Sequence, residues 1–165
     1  MVPRLRAALA SAALAAAAGL AVAFAAEWYG GLVPCALCLV ERWPYRAVVA
    51  LGLAGLLLPR PIARICLLLL GLAALAGAIA AGVHVGVERG WWPSPLPECA
   101  APKLGGGSLA QRLAAMPAQP SKACEDPTYL IPAIPLSMAM MNLLYSLLGA
   151  TAVAWFLATS SKARP

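Results

Sequence analysis

The stretch PCALCLVERWPYR, residues Pro34–Arg46, places a Cys-x-x-Cys pair and two arginines between two apolar segments. A Cys-x-x-Cys ring is too small to close a useful loop of chain and is better known as a redox or metal-binding unit. Positive charge near a thiol lowers its pKa, and the thiolate is the reactive form. The stretch therefore predicts a working dithiol, Cys35 and Cys38, at the edge of a membrane.

The composition around this stretch is that of a membrane protein. Of the 165 residues, 62% are hydrophobic and 11% are charged, whereas soluble domains average about 25% charged residues. A helix needs about 20 apolar residues to cross a bilayer. We predict an all-α membrane protein, a four-transmembrane-helix bundle that forms one domain over residues 1–165. Its helices are expected at about 7–26, 39–58, 62–87 and 131–158, with outer loops at about 27–38 and 88–130.

The first apolar segment also fits a second interpretation. Arg4 and Arg6 precede it and Ala23-Phe24-Ala25 ends it, a pattern similar to a secretory signal with an A-x-A cleavage site. The apolar run is longer than the h-region of a typical signal, which favours a retained helix. Either interpretation leaves Cys35 on the same side of the membrane.

Charge predicts the orientation of the helices. The basic residues of one face have no acidic neighbours, and they are Arg4, Arg6, Arg60, Arg64, Lys162 and Arg164. The other face carries every carboxylate of the chain together with an equal number of basic residues, so the net charge of +6 belongs to the first face. By the positive-inside rule both termini are cytoplasmic and the cysteine loops are periplasmic. Membrane orientation explains the positive charge, so nucleic acid is not expected as a partner.

The five cysteines fall into three groups. Cys66 lies within an apolar helix and is expected to behave as a small hydrophobe. Cys35, Cys38, Cys99 and Cys124 all fall on the outer face, where an oxidising compartment lets disulfides persist. For Cys99 and Cys124 taken alone, a structural disulfide and a redox pair are equally consistent with the sequence.

The second outer loop is rich in proline and carries the triple glycine 105–107, so it is expected to hinge. Within it, SLAQRLAAM, residues 108–116, begins with a capping box formed by Ser108 and Gln111. Leu109, Leu113 and Met116 share one helical face. This pattern predicts a short amphipathic helix on the membrane surface.

These features together resemble the disulfide bond formation protein B (DsbB) family. The resemblance is carried by PCALCLVER, by HVGVERGWWPSPLPEC at residues 84–99 and by ACEDP at residues 123–127. The last two are similar to the branch common in alphaproteobacteria, and the resemblance runs from about residue 24 to the end of the last helix.

The resemblance implies a membrane oxidoreductase of the bacterial inner membrane. It implies that the protein reoxidises a periplasmic DsbA-type dithiol protein and passes the electrons to a membrane quinone, either ubiquinone or menaquinone. Cys99 would form the mixed disulfide with the partner, Cys124 would exchange with Cys35, and Cys38 would face the quinone. Arg42, His84 and Glu88 would lie at the quinone, although Glu88 departs from family members that carry Gln there.

Arg42 has two interpretations from the residues alone. It lies four residues after Cys38, on the same face if the helix has begun there, and can donate to a quinone carbonyl. An arginine near a helix end also serves as an interfacial anchor. The pattern favours the donor, and Arg46 is expected to be an anchor or a partner of Glu41.

Three other interpretations compete with the redox relay. Cys35, Cys38, His84 and Glu88 could form a four-ligand zinc site, but their convergence cannot be read from the sequence, so we expect no metal. Vitamin K epoxide reductase also joins Cys-x-x-Cys to quinone chemistry, but there the pair lies later in the chain. A non-enzymatic membrane protein held by disulfides would have stable disulfides and no quinone.

Overall fold

Four long helices dominate the computed structural model, which describes residues 2–99, 108, 110–111, 122–131 and 133–162. They are α1 (Val2–Trp28), α2 (Ala36–Leu57), α3 (Arg60–Glu88) and α4 (Met138–Lys162). A single 3-10 turn, Pro97–Cys99, lies in the loop after α3. Over these described residues the protein is all-helical, with two isolated β-bridges and no strand.

The helices pack in chain order, α1 on α2, α2 on α3 and α3 on α4, whereas α1 and α4 touch each other little. Small residues allow neighbouring helices to approach each other closely. A methyl group added at Gly52 of α2 would lie 2.7 Å from the Cβ atom of Ala13 in α1. An apolar core at the end of the bundle with the chain termini includes the fully buried Leu9 and Leu67. The weak α1–α4 contact leaves a gap at the opposite end.

Three of the helices are long and apolar enough to cross a membrane, over Pro3–Trp28, Arg60–Glu88 and Met138–Ser160. Large apolar side chains on their outer faces are exposed, such as Leu14 and Trp155. An exposed apolar surface of this extent is typical of contact with lipid. α2 contains the charged residues Glu41, Arg42 and Arg46. It is not among the helices that are apolar enough to cross a membrane by composition alone.

All four helix starts differ from those that the sequence predicted. α1 begins at Val2 rather than near residue 7 and α3 at Arg60 rather than near residue 62, and the starts of α2 and α4 have clear local causes. α2 begins at Ala36 rather than near residue 39, because Cys35 caps it and so brings Cys38 into its first turn. α4 begins at Met138, not near residue 131. Pro135 disfavours helix for the residue before it, and the hydroxyl of Ser137 accepts a hydrogen bond from the backbone N–H of Met140 at 3.2 Å, as an N-cap does.

The far end of α3 closes in a Schellman motif. The N–H of Trp91 donates to the carbonyl of Gly86 at 2.9 Å, and the N–H of Gly90 donates to that of Val87 at 3.0 Å. Gly90 has φ +68°, a left-handed conformation that glycine adopts without steric cost. The motif turns the chain sharply towards the 3-10 turn that holds Cys99.

The predicted amphipathic helix at residues 108–116 lies largely outside the described residues. Its capping box is present. The N–H of Ser108 donates to Oε1 of Gln111 at 3.0 Å, and the N–H of Gln111 donates to the Ser108 hydroxyl at 3.3 Å.

Candidate functional site

The Cys-x-x-Cys pair lies at the N-terminus of α2. Cys35 is the N-cap, and its sulfur accepts a hydrogen bond from the backbone N–H of Cys38 at 3.1 Å. The two sulfurs are 2.7 Å apart and are not bonded as a disulfide. The hydrogen bond from the Cys38 side chain lowers the pKa of the Cys35 thiol from its usual value, although burial acts in the opposite direction. The pair is therefore a dithiol and not a disulfide.

Cys99 and Cys124 form a disulfide with Cα atoms 4.9 Å apart. Both are almost completely buried, and they pack in one cluster with Cys35, Leu37 and Val87. The backbone of Cys35 also forms a β-bridge with Lys122, two residues before Cys124. The loop disulfide and the dithiol are thus neighbours, as the relay predicted from the family resemblance requires.

Behind Cys35 runs a chain of buried polar contacts that joins three helices. Nε2 of His84 lies 3.5 Å from the Cys35 sulfur, and Nδ1 lies 2.8 Å from Oε1 of Glu41. The other oxygen of Glu41 accepts from Nδ2 of Asn142 in α4 at 2.5 Å. The hydroxyl of Tyr45 donates to Oδ1 of Asn142. Since Glu41 and His84 are buried, these contacts take the place of hydrogen bonds to water.

A cavity of about 380 Å³ occupies the gap between α1, α2 and α4. Its volume lies within the roughly 300–1,000 Å³ of pockets that hold organic ligands. Most of its walls are aliphatic or aromatic, with side chains such as Leu20, Val22, Met141 and Tyr145. Among the described residues, Cys38 is the one cysteine on its wall, and its charged lining residues are Glu27, Glu41 and Arg42.

Arg42 is held inside this cavity rather than extended towards the surface. Its side chain is 10% exposed, Nη2 donates to Oε2 of Glu27 at 2.8 Å, and the guanidinium lies 4.8 Å from the ring centroid of Phe24. Arg46 differs, because it is exposed and stacks over Trp43 at 5.0 Å. Of the two roles expected for Arg46, the pairing with Glu41 is wrong, since Glu41 pairs with His84 and Asn142, and the role of an anchor stays a prediction.

His84 and Glu88 do not line the cavity. His84 contacts Cys35 and Glu41 instead. Oε2 of Glu88 accepts a hydrogen bond from the Ser137 hydroxyl at 2.5 Å, which links the end of α3 to the start of α4. Of the four ligands considered for zinc, Cys35, Cys38 and His84 converge, and Glu88 is not in that group.

Sequence reasoning did not identify four side chains of this site: Glu27, Glu41 as the partner of His84, Tyr45 and Asn142. An acidic or amide side chain within an apolar helix is a signal of function in its own right. Asn142, the one asparagine of the chain, stands in the apolar α4 and could have been singled out. Its partner Glu41 could not, because the two are 101 positions apart.

Comparison with known proteins defines the class. The family model of the disulfide bond formation protein DsbB matches residues 5–156, so the chain belongs to the DsbB family of membrane thiol–disulfide oxidoreductases. The uncharacterized protein RP370 of Rickettsia prowazekii (strain Madrid E) is 30% identical over 130 residues, which is 78% of this chain and 73% of that protein. This relative fits the alphaproteobacterial branch expected from the sequence. No solved structure matches the chain.

Proposed function

We propose that this protein is a quinone-dependent thiol oxidase that reoxidises a periplasmic DsbA-type dithiol protein. One observation supports the proposal most directly, namely that the two sulfurs of the dithiol have different surroundings. Cys35 lies in the buried cluster with Cys99 and Cys124, whereas Cys38 packs against the outside of that cluster and lines the apolar cavity. A pair placed in this way can take electrons from the loop cysteines once the partner has reduced them, and can deliver these electrons to an oxidant dissolved in lipid.

The relay has three exchanges. The partner's dithiol reduces Cys99–Cys124, with Cys99 forming the mixed disulfide, and the partner leaves as a disulfide. The resulting Cys99/Cys124 dithiol reduces a Cys35–Cys38 disulfide through Cys124 and Cys35. The Cys35/Cys38 dithiol then passes two electrons and two protons to the quinone, which leaves as quinol. The observed combination of a loop disulfide with a Cys35/Cys38 dithiol corresponds to the state before that last step.

Arg42 is proposed as the donor to a quinone carbonyl. A residue that only anchors a helix end would extend into the headgroup region, as the exposed Arg46 can. Arg42 instead lines the cavity and is oriented by Glu27. Because Glu27 carries the opposite charge, the pair places a donor in the cavity without leaving an unpaired buried charge.

His84 is proposed to act on Cys35 and not to contact the quinone. Its Nδ1 faces the Glu41 carboxylate, which favours the tautomer with a proton on Nδ1 and a free lone pair on Nε2. That lone pair faces the Cys35 sulfur and can accept its proton. Glu88 is proposed to hold α4 in position through Ser137.

The proposed setting is the bacterial inner membrane. α2 spans 22 residues, enough to cross the hydrocarbon as a fourth helix. Its buried Glu41 and Arg42 have partners within the bundle, which lowers the cost of placing them there. With four crossings, the basic residues of the termini and of the turn between α2 and α3 lie on the cytoplasmic side, and the cysteine loops are periplasmic.

A single-turnover assay tests the proposal. The purified protein in detergent is mixed anaerobically with a reduced DsbA-type protein and a soluble ubiquinone or menaquinone analogue. We expect one quinol for each partner disulfide formed. A protein that has disulfides for structural purposes only would produce neither product, and vitamin K epoxide reductase chemistry would consume the epoxide of a naphthoquinone instead.

A further inference from the structure

The dithiol and His84 converge on one point. The Cys35 and Cys38 sulfurs and a ring nitrogen of His84 all lie within 4.8 Å of one another. Two thiols and an imidazole are the ligands that Zn²⁺ prefers in proteins. Cys35 and His84 are buried, and Cys38 is half-buried beside the cavity.

The spacing of these atoms suits a tetrahedral ion. Zn–S bonds of about 2.3 Å and Zn–N bonds of about 2.0–2.1 Å put a sulfur and a nitrogen ligand roughly 3.6 Å apart. Cys35 Sγ and His84 Nε2 are 3.5 Å apart already. The two sulfurs, at 2.7 Å, must separate by about 1 Å to reach the same geometry. The cavity beside Cys38 gives that side chain room to turn.

The surroundings of His84 prepare it as a ligand. Metal-binding histidines almost always donate their second ring N–H to a carboxylate, carbonyl or water, which orients the ring. Nδ1 of His84 has this contact with Glu41, and Asn142 in turn holds the other oxygen of Glu41. Nε2 is thereby directed at the sulfurs.

We propose that the reduced protein binds one Zn²⁺ through Cys35, Cys38 and His84, with a water at the fourth position, and that this ion blocks quinone reduction. Binding converts the two thiols to thiolates and releases their protons to solvent. Formation of the Cys35–Cys38 disulfide removes two of the three protein ligands, so the site exists only in the reduced state. Glu88 is not a ligand, because its carboxylate is bonded to Ser137. The blockade rests on the proposed function, whereas the binding of the ion does not.

Binding is measured on the full chain in detergent, with Cys66, Cys99 and Cys124 replaced by Ala so that no other thiol competes. Zn²⁺ is titrated by calorimetry, and Cd²⁺ is titrated by its thiolate charge-transfer absorption. We expect one ion per chain after reduction and none after oxidation of the pair. In the wild-type protein, Zn²⁺ is expected to protect Cys35 and Cys38 from alkylation.

Three substitutions assign the ligands. Glu41→Gln is expected to weaken binding by about 10- to 100-fold, as loss of a ligand's hydrogen-bond partner usually does. His84→Gln is expected to weaken it further, and Glu88→Gln to leave it unchanged. Equal binding by the reduced and oxidised pair, or binding retained in His84→Gln, overturns the site, and a loss in Glu88→Gln overturns the three-ligand assignment.

Turnover is then measured with Zn²⁺ and with a chelator. Inhibition that the chelator reverses supports the blockade, and full quinone reduction by the zinc-loaded protein overturns it. A protein that reduces no quinone even without zinc contradicts the proposed function. The calorimetric result would still decide whether the metal site exists.

Discussion

At the scale of single residues, the position of a sulfur decides its role. Cys35 and Cys38 are three positions apart on the same helix end, yet one packs against the loop disulfide and the other lines the cavity. Their sulfurs are only 2.7 Å apart, so this one pair connects the loop disulfide with the cavity. The chemistry of the pair depends on this difference.

Replacing Cys38 with Ser is therefore expected to abolish quinone reduction, since no thiol then faces the cavity. Steady-state quinol formation with a reduced DsbA-type donor is the measurement. Cys66→Ala is the matched control, because Cys66 is a buried thiol of the distant core to which all four helices contribute. Normal turnover in the Cys38→Ser protein would assign the quinone-facing role to another group.

Substitutions of Arg42 test whether its side chain donates a hydrogen bond to the quinone or only anchors the helix end at the membrane interface. Arg42→Gln and Arg42→His are expected to raise the Michaelis constant for quinone by roughly 10- to 150-fold, as one lost charge-assisted hydrogen bond of about 1.5–3 kcal/mol implies. Arg42→Lys should be intermediate, because it keeps the charge and loses the planar fork. Arg46→Gln is the control, since Arg46 stacks on Trp43 and does not line the cavity. If the Arg42 variants showed the same quinone dependence as the wild type, Arg42 would be an anchor.

At the scale of helices, the ends position the site more than the interiors do. Cys35 caps the start of α2, and Gly90 closes the end of α3 near the turn that carries Cys99. Ser137 caps the start of α4, and its hydroxyl donates a hydrogen bond to Glu88. Each of these ends lies at the same side of the bundle, where the two cysteine pairs meet. Helix capping and site geometry are therefore coupled in this protein.

Two glycine-to-alanine substitutions are expected to shift stability in opposite directions. Gly90→Ala places a Cβ atom on a left-handed residue, which costs about 1–2 kcal/mol of the free energy of unfolding. Gly149→Ala lies within α4, where the added methyl group meets nothing within 4 Å, and should stabilise by about 0.5–1 kcal/mol. Thermal unfolding in detergent, followed by circular dichroism, measures both. A stabilised Gly90→Ala protein would show that the α3 end is not held in this conformation.

At the scale of the whole molecule, the relay needs the second outer loop to return to the first. The β-bridge between Cys35 and Lys122 and the cluster of Cys35 with Cys99 and Cys124 hold the two loops together. Disulfide exchange requires direct approach of a thiolate to a disulfide sulfur, and this packing supplies it.

A Cys124→Ala protein is accordingly expected to accumulate a mixed disulfide when it is mixed with the oxidised partner. The free Cys99 thiol attacks the partner's disulfide and releases one partner thiol, and no Cys124 thiol is present to displace the partner again. Non-reducing electrophoresis followed by peptide mapping identifies the bonded cysteine. Cys99→Ala should trap no complex through this loop. A complex trapped on Cys35 instead would reverse the proposed order of the relay.

Much of the architecture and of the redox pair could be predicted from the sequence, because those features are local. Apolar segments of membrane length, the spacing of Cys35 and Cys38 and the capping residues Ser108 and Gln111 each act within a few positions of the chain. The late start of α4 was missed, although Pro135 and Ser137 are local signals, because the apolar run continues through them.

The sequence by itself determined that this is a helical membrane protein with a Cys-x-x-Cys pair at the start of a helix, since composition and short-range pattern decide both. The tertiary structure alone decided which groups surround that pair. His84 reaches Cys35 from 49 positions away and Glu41 from 43, and Asn142 reaches Glu41 from 101. Contacts of this kind arise from the packing of α2 against α3 and of α3 against α4, and no pattern along the chain encodes them. The cavity has the same origin, because it is the space that α1 and α4 leave where they do not pack.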